Sequence, residues 1–370
     1  MSTFVSRFIA VSMLMLVASA CAAERAYPLW NGSESVAKYA ERVNLPPSKS
    51  LELGGGIIME LVLIPSGKYI MGTAEPEAVD EAVFRKKIVV GQVLLAVNAA
   101  ALLVMLVVVI VQAIGEKRRP QLSLKFLLLV TVTAGGCVLS GLHWQQSSKG
   151  LEQAQVEFQV SKSRFELVSV DEKPAHPVML TKPFYMGKFP VTQEQYQAVI
   201  GANPSTFKGK DNPVDTVSWD DAQVFCKKLT EQTKHAVRLP TEAEWEFACR
   251  AGTTTAYYSG DAESDLSRVA WYGANSKGIT HPVGQKEPNA FGLCDMLGNM
   301  WQWCQDWSAG VDYYSKSPTE DPEGPVQGVG RLLRGGSIGM DYSRCRSARR
   351  VWYFPADPVG GFRVVVPASK

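Results

Sequence analysis

The sequence predicts an α+β domain with short regular elements and many loops, interrupted by an inserted two-helix transmembrane hairpin. Three observations lead there. Capping residues open three helices between Thr192 and Arg250. Past Gly252, Gly, Pro, Asn and Asp punctuate the chain every few residues, while seven Trp fall between 219 and 352. Such side chains bury large areas and suit an aromatic core held by loops. Ahead of this region run two long apolar segments, 88–114 and 122–142.

Composition narrows the classes. The 370 residues carry 38 Lys+Arg against 36 Asp+Glu, a net charge of +2, without the basic excess of a nucleic-acid binder. The hydrophobic fraction of 46% excludes wholesale disorder. Seven Cys are too few for a disulfide-dense mini-protein. His143, His176, His235 and His281 make no ligand pair at helical or finger spacing.

Residues 1–23 read as a signal peptide. Arg7 supplies the positive start, Phe8 to Val17 the apolar run, and Ala18-Ser19-Ala20 the small-residue cleavage site. An uncut N-terminal anchor is the alternative. Cys21 would suit lipid attachment, but Ala18 stands where Leu is usual. Residues 24–50 form an exported segment with a helical pattern over 35–43. Residues 51–80 hold the first strands, with Gly54-Gly55-Gly56 and Pro65-Ser66-Gly67 as turns.

The segment 88–114 is 27 residues without a charge, and 122–142 is broken only by Lys125 near its start. A helix needs about 20 apolar residues to cross a bilayer, so both are long enough. The cytoplasmic loop 115–121 holds Lys117, Arg118 and Arg119, which places it inside by the excess of positive charge. With an exported N-terminus the path is out, in, out. The chain is thus expected in a membrane, touching the lipid bilayer, with its main domain on the extracytoplasmic side.

After the second span, Val156, Phe158 and Val160 alternate with polar residues like a strand, with a helix over 150–165 as the alternative. The main part of the domain covers 165–366. Thr192 with Gln195 is a capping box whose helix stops at Gly201. Ser218 opens a second helix over 219–230, with Asp221 at its third position. Thr241 with Glu244 opens a third, ending near Arg250. No P-loop, dinucleotide fingerprint, nucleophile elbow or zinc helix is present.

Six ordered phrases remain: Met186-Gly187-Lys188-Phe189-Pro190-Val191-Thr192, Arg238-Leu239-Pro240-Thr241-Glu242-Ala243-Glu244-Trp245-Glu246, Pro288-Asn289-Ala290-Phe291-Gly292-Leu293, Gly298-Asn299-Met300-Trp301-Gln302-Trp303, Arg334-Gly335-Gly336-Ser337 and Gly361-Phe362-Arg363. In this order they closely resemble the formylglycine-generating enzyme family, the sulfatase-modifying factor domain, over roughly 51–73 and 165–366. The resemblance implies a C-type-lectin-like α+β fold with little regular structure. It also places the hairpin inside the domain, since its first strands precede the spans and the rest follows them. Such an insertion must return the chain to its starting side, which two spans do and one cannot.

The resemblance implies copper-dependent oxidation of a substrate Cys to formylglycine in sulfatase-type proteins. Copper(I), a soft ion, suits thiolates. The family's two copper Cys stand three and eight residues after the Ser that matches Ser337. Those places hold Met340 and Cys345, so one thiolate is replaced by an uncharged thioether. Ser337, Met340 and Cys345 are the candidate catalytic residues. Aligned on Arg346-Ser347-Ala348 instead, Cys345 matches a structural Cys, and the resemblance then implies a Cys249–Cys345 disulfide. A second family bridge, from Cys226, is lost because Val364 stands at its partner's place. The resemblance also implies calcium, a hard ion held by oxygen atoms. Asn275, Leu297, Asn299, Met300 and Gln302 are its candidate ligands, with the uncharged Gln302 where the family has Glu. Ser337, Arg334 and Arg363 read equally as turn and ion-pair residues, and Trp301, Trp303 and Trp307 as core. Two functions stand: a membrane-anchored oxidase of sulfatase-type partners, or a non-catalytic lectin-like module binding another envelope protein or a glycan.

Overall fold

The computed structural model describes residues 27–74, 81–115, 124–166, 172–310 and 312–368. The signal peptide, the cytoplasmic loop apart from Gly115, and the junctions 75–80 and 167–171 lie outside the described residues. The chain divides into two compact units, Met1–Ala74 with Ser169–Lys370, and Glu75–Val168.

In the first unit, helix α1 (Val36–Val43) starts where the Ser35 hydroxyl accepts from Lys38 N, and it stops at Asn44 in a left-handed turn. It buries Tyr39, Ala40 and Val43. Strands β1 (Ser48–Glu52), β2 (Ile58–Ile64) and β3 (Gly67–Met71) follow. After the second unit, helices α2 and α3 below, the chain resumes with β4 (His176–Leu180) and β5 (Phe184–Gly187). These pair backwards across the interruption. Leu61 faces Gly187 and Ile64 faces Phe184 in β2–β5, while Gly67 faces Leu180 in β3–β4. The two chain ends meet where Thr73 N donates to Glu172 O at 3.0 Å and the Thr73 hydroxyl donates to the Glu172 carboxylate at 3.1 Å.

The second unit is two helices, α2 (Glu81–Gly115) and α3 (Leu124–Glu166). Asn98 Nδ2 on α2 donates to Ser140 Oγ on α3 at 3.2 Å. Gly136 makes room for this contact, because a Cβ there would lie 2.9 Å from Asn98 Oδ1. Within α2, Ile88–Val108 is long and apolar enough to cross a membrane. Its Val93, Val97, Leu103 and Val104 point outward. The strand reading at Val156, Phe158 and Val160 is corrected: α3 runs straight through them to Glu166. The Gln-, Glu-, Ala- and Lys-rich stretch around them favours helix, and three alternating apolar residues do not outweigh it.

The remaining elements complete the first unit. Helices α4 (Gln193–Ile200), α5 (Trp219–Thr233) and α6 (Glu242–Arg250) each open with a reciprocal capping box, at Thr192/Gln195, Ser218/Asp221 and Thr241/Glu244. Helix α7 (Glu263–Val269) follows, and then β6 (Gln302–Trp307), β7 (Arg331–Arg334), β8 (Arg350–Tyr353) and β9 (Val365–Pro367). One sheet runs β1-β2-β5-β9 and another β6-β7-β8. One core cluster gathers round Trp245, Phe247 and Phe291, the second round Phe225, Trp303 and Phe362. Trp301 and Trp303 are core, but Trp307 is only half-buried and lines a surface cleft.

Candidate functional site

The Arg334-Gly335-Gly336-Ser337 phrase forms a bend at the end of β7. Arg334 fixes the strand end: it is fully buried, ion-paired with Glu246, and lies 3.3 Å from Glu242 Oε1. Its Nη1 also donates to Arg349 O at 3.0 Å. Gly335 and Gly336 then take left-handed φ of 97° and 81°, which favour glycine. A Cβ at Gly336 would lie 2.6 Å from Cys345 Sγ, so the bend packs directly on that thiol.

Beyond the bend the loop closes in short turns. Met340 N donates to Ser337 O at 3.0 Å, and Ser276 Oγ donates to Ile338 O at 2.8 Å. Gly273 N donates to Met340 O at 2.8 Å. Asp341 then caps a single 3₁₀ turn, accepting from Ser343 N at 2.9 Å. Cys345 N donates to Tyr342 O at 3.2 Å. Ser337, Met340 and Cys345 therefore share one loop. Ser337 and Met340 are half-buried, and Cys345 is 0% exposed. Burial pushes the Cys345 thiol up to about 12, although the Ser337 backbone N–H directed at it pulls the other way.

The expected Cys249–Cys345 disulfide is not formed. Cys226, Cys249, Cys294, Cys304 and Cys345 are all free thiols. Cys249 donates to Ser347 Oγ at 3.7 Å, whereas the Cys345 sulfur sits against Gly336, so the two thiols have different neighbours. Burial also pushes Cys249 up to about 12.

The side chains of three calcium candidates, Gln302, Asn299 and Asn275, are engaged in other bonds. Gln302 is fully buried. Its Oε1 accepts from Arg363 Nε at 2.7 Å and from Trp245 Nε1 at 3.0 Å. Its Nε2 donates to Asp295 O at 2.8 Å. With a guanidinium and an indole N–H on its oxygen, Gln302 has no lone pair facing open space for a cation. Asn299 brackets one peptide, accepting from His281 N at 3.0 Å and donating to His281 O at 2.9 Å. Asn275 accepts from Tyr272 N and donates to Ala270 O, both at 2.9 Å. Leu297 and Met300 are buried, and a Cβ on Gly361 would collide with the Met300 methyl. Among the described residues, no group of three or more His, Cys, Asp and Glu is placed to hold a metal ion. The side-chain oxygens of Asn275, Asn299 and Gln302 are thus engaged inside the protein, and the loop around Ser337 offers one thiol and one thioether.

Arg363 is an internal strut, donating to Gly187 O at 2.7 Å and Cys294 O at 2.9 Å as well as to Gln302. A second feature was not legible in the sequence. Arg331 is pressed between Trp219 and Trp307, its Cζ 3.8 and 3.6 Å from the two ring centres. The stack stands beside a cleft of 780 Å³ that Gln223, Gln305 and Trp307 help to line.

Residues 135–368 match the family of the sulfatase-modifying factor enzyme 1-like domain. The chain belongs to this family. Its relatives include the formylglycine-generating enzyme of Streptomyces coelicolor, 39% identical over 158 residues, which are 39% of this chain and 48% of that protein. They also include the chaperone protein LppX of Paenibacillus barcinonensis, 31% identical over 174 residues, 34% of this chain and 62% of that protein. The chain thus spans between about half and three-fifths of the length of these two relatives. The structure of PvdO from Pseudomonas aeruginosa has the same fold, with a TM-score of 0.56 and 21% identity over 87% of this chain and 99% of that one.

Proposed function

We propose that this member of the family is a non-catalytic binding module of the cell envelope, held at a membrane by its inserted helices. The state of Cys345 carries the reading. Reactive cysteines are partly exposed and have a lowered pKa, because the thiolate is the working form. Cys345 is fully buried with its pKa pushed up to about 12, and Met340 takes the second sulfur position without a charge to offer. Relatives bear the names of a formylglycine-generating enzyme and of a chaperone, so family membership does not by itself assign oxidation.

Anchoring is supported by Ile88–Val108 and by the meeting of Thr73 with Glu172. An insertion that leaves and re-enters one folded unit at one place needs an even number of crossings. Spans over 88–114 and 122–142 satisfy that, with 115–121 cytoplasmic, the folded unit outside and residues 1–23 the export signal. The partner is then an envelope protein or glycan.

Two measurements test the reading. Thiol labelling of the native protein should leave Cys345 unmodified until unfolding, and copper(I) titration should find no site that depends on it. Stoichiometric copper(I) uptake abolished by Cys345→Ser would overturn the non-catalytic assignment. Reporter fusions after residues 80 and 120 should land on opposite sides of the membrane, and same-side results would sink the hairpin.

A further inference from the structure

We infer that the cleft beside the Trp219–Arg331–Trp307 stack is a binding site for a neutral carbohydrate. The inference rests on the binding-module reading and names its ligand class. At 780 Å³ the cleft falls within the ~300–1,000 Å³ of small-ligand sites. It draws on β6 and β7, the start of α6, the face of α5 and the 321–326 loop.

Charge excludes an ionic ligand. The lining holds three cations, Lys182, Arg238 and Arg331, and three anions, Glu244, Asp321 and Glu323. Arg238 is spent on Glu244, its Nη1 and Nη2 reaching the two carboxylate oxygens at 2.7 and 2.6 Å. Asp321 accepts from Thr181 N at 2.7 Å. A lining of balanced charge offers no net field to either sign of ligand. Its lining also holds Gln223, Thr241 and Gln305, polar groups that an apolar ligand would leave without partners.

What remains suits a ring of hydroxyls. Gln223 Nε2 donates to Gln305 Oε1 at 2.8 Å, which leaves the Gln305 amide hydrogens and the Gln223 carbonyl oxygen as a donor and an acceptor side by side. Arg331 is immobilised by its two indoles and by the bond from its Nη1 to Gln305 O at 2.7 Å. Its guanidinium is therefore set before any ligand arrives, which lowers the entropy cost of binding. Vicinal hydroxyls both donate and accept, and such fixed planar groups match them two at a time. The half-buried Trp307, whose ring carries Arg331 on one face, also lines the cleft and adds apolar contact for the C–H groups of a sugar ring.

The test uses the full chain in detergent, titrated with maltotriose, cellotriose, mannotriose and chitotriose and followed by calorimetry and tryptophan fluorescence. At least one should bind and shift the fluorescence, with little dependence on salt. Trp307→Ala should weaken that binding by about tenfold or more, and so should Gln305→Ala, which leaves the Arg331 stack in place. No binding to any of the four, binding untouched by Gln305→Ala, or binding confined to carboxylate-bearing glycans or to a protein would overturn the proposal. The same samples are incubated with a cysteine peptide. If no sugar binds and no aldehyde forms, the cleft assignment falls and the binding-module reading stands. If an aldehyde forms, the reading beneath it falls.

Discussion

Replacing Gly336 by alanine puts a methyl group where the Cys345 sulfur already sits. The new Cβ would lie 2.6 Å from Cys345 Sγ, 3.1 Å from Cys345 Cα and 3.2 Å from Arg344 O. The last two are backbone or next to it and cannot swing aside. The φ of 81° adds a second penalty, about 1–2 kcal/mol for a residue with a Cβ. Overpacking a well-filled site costs about 1–3 kcal/mol more. Gly336→Ala should therefore cost about 2–5 kcal/mol, a large share of the ~5–15 kcal/mol that holds a typical domain. Urea unfolding followed by tryptophan fluorescence reads this directly. Adding Cys345→Ala removes the sulfur but not the strained φ, so the double variant should recover part of the loss, a coupling of about 0.5–3 kcal/mol. A Gly336→Ala protein within about 0.5 kcal/mol of the parent, or no coupling to Cys345, would mean that the thiol does not lie behind the bend.

Further expectations follow from the buried charges and from the insertion. Burial, reinforced by the Glu242 charge, pushes the Asp306 carboxyl up from its usual 3.8 to about 8. Between those values the folded state holds a proton that the unfolded state has released. Stability should fall as pH rises through this window, by up to about 1.4 kcal/mol per pH unit, and Asp306→Asn should flatten the curve. A parallel pH profile for parent and variant would contradict this. Glu246 is fully buried, paired with Arg334 and Arg250, and accepts from Gly72 N at 3.0 Å. Glu246→Gln leaves Arg250 without its carboxylate and Arg334 with Glu242 alone, and should cost about 3–5 kcal/mol in the same urea assay, and a cost below about 1 kcal/mol would refute it. Because Thr73 and Glu172 touch, replacing residues 75–168 by about four Gly/Ser residues should give a soluble folded domain. An aggregated product would show that the domain needs its insertion.

Legibility in the sequence followed the range of the forces. The three capping boxes are contacts between residues three apart, so Thr192, Ser218 and Thr241 announced their helices. Helix α7 is preceded at its N-cap by Ala262, which has no side-chain oxygen to cap with, and it gave no signal. The helix through Val156 was obscured by a brief alternation of apolar residues. The pairing of β2 with β5 joins strands separated by the whole insertion, and only the family resemblance pointed to it. At the candidate site the phrase around Ser337 was readable, but the fate of Gln302 was not. Its partners Trp245 and Arg363 lie 57 and 61 residues away, and only the folded chain brings their N–H groups onto its oxygen. The Trp219–Arg331–Trp307 stack is similarly assembled from three distant segments.

The most direct measurement is mass spectrometry of a Cys-x-Pro-x-Arg peptide after incubation with the full chain, copper(I) and oxygen. A buried, protonated Cys345 with Met340 beside it in the loop should leave the substrate cysteine unchanged, in the parent and in Cys345→Ser alike. Turnover to the formylglycine aldehyde by the parent, lost in Cys345→Ser, would contradict the account.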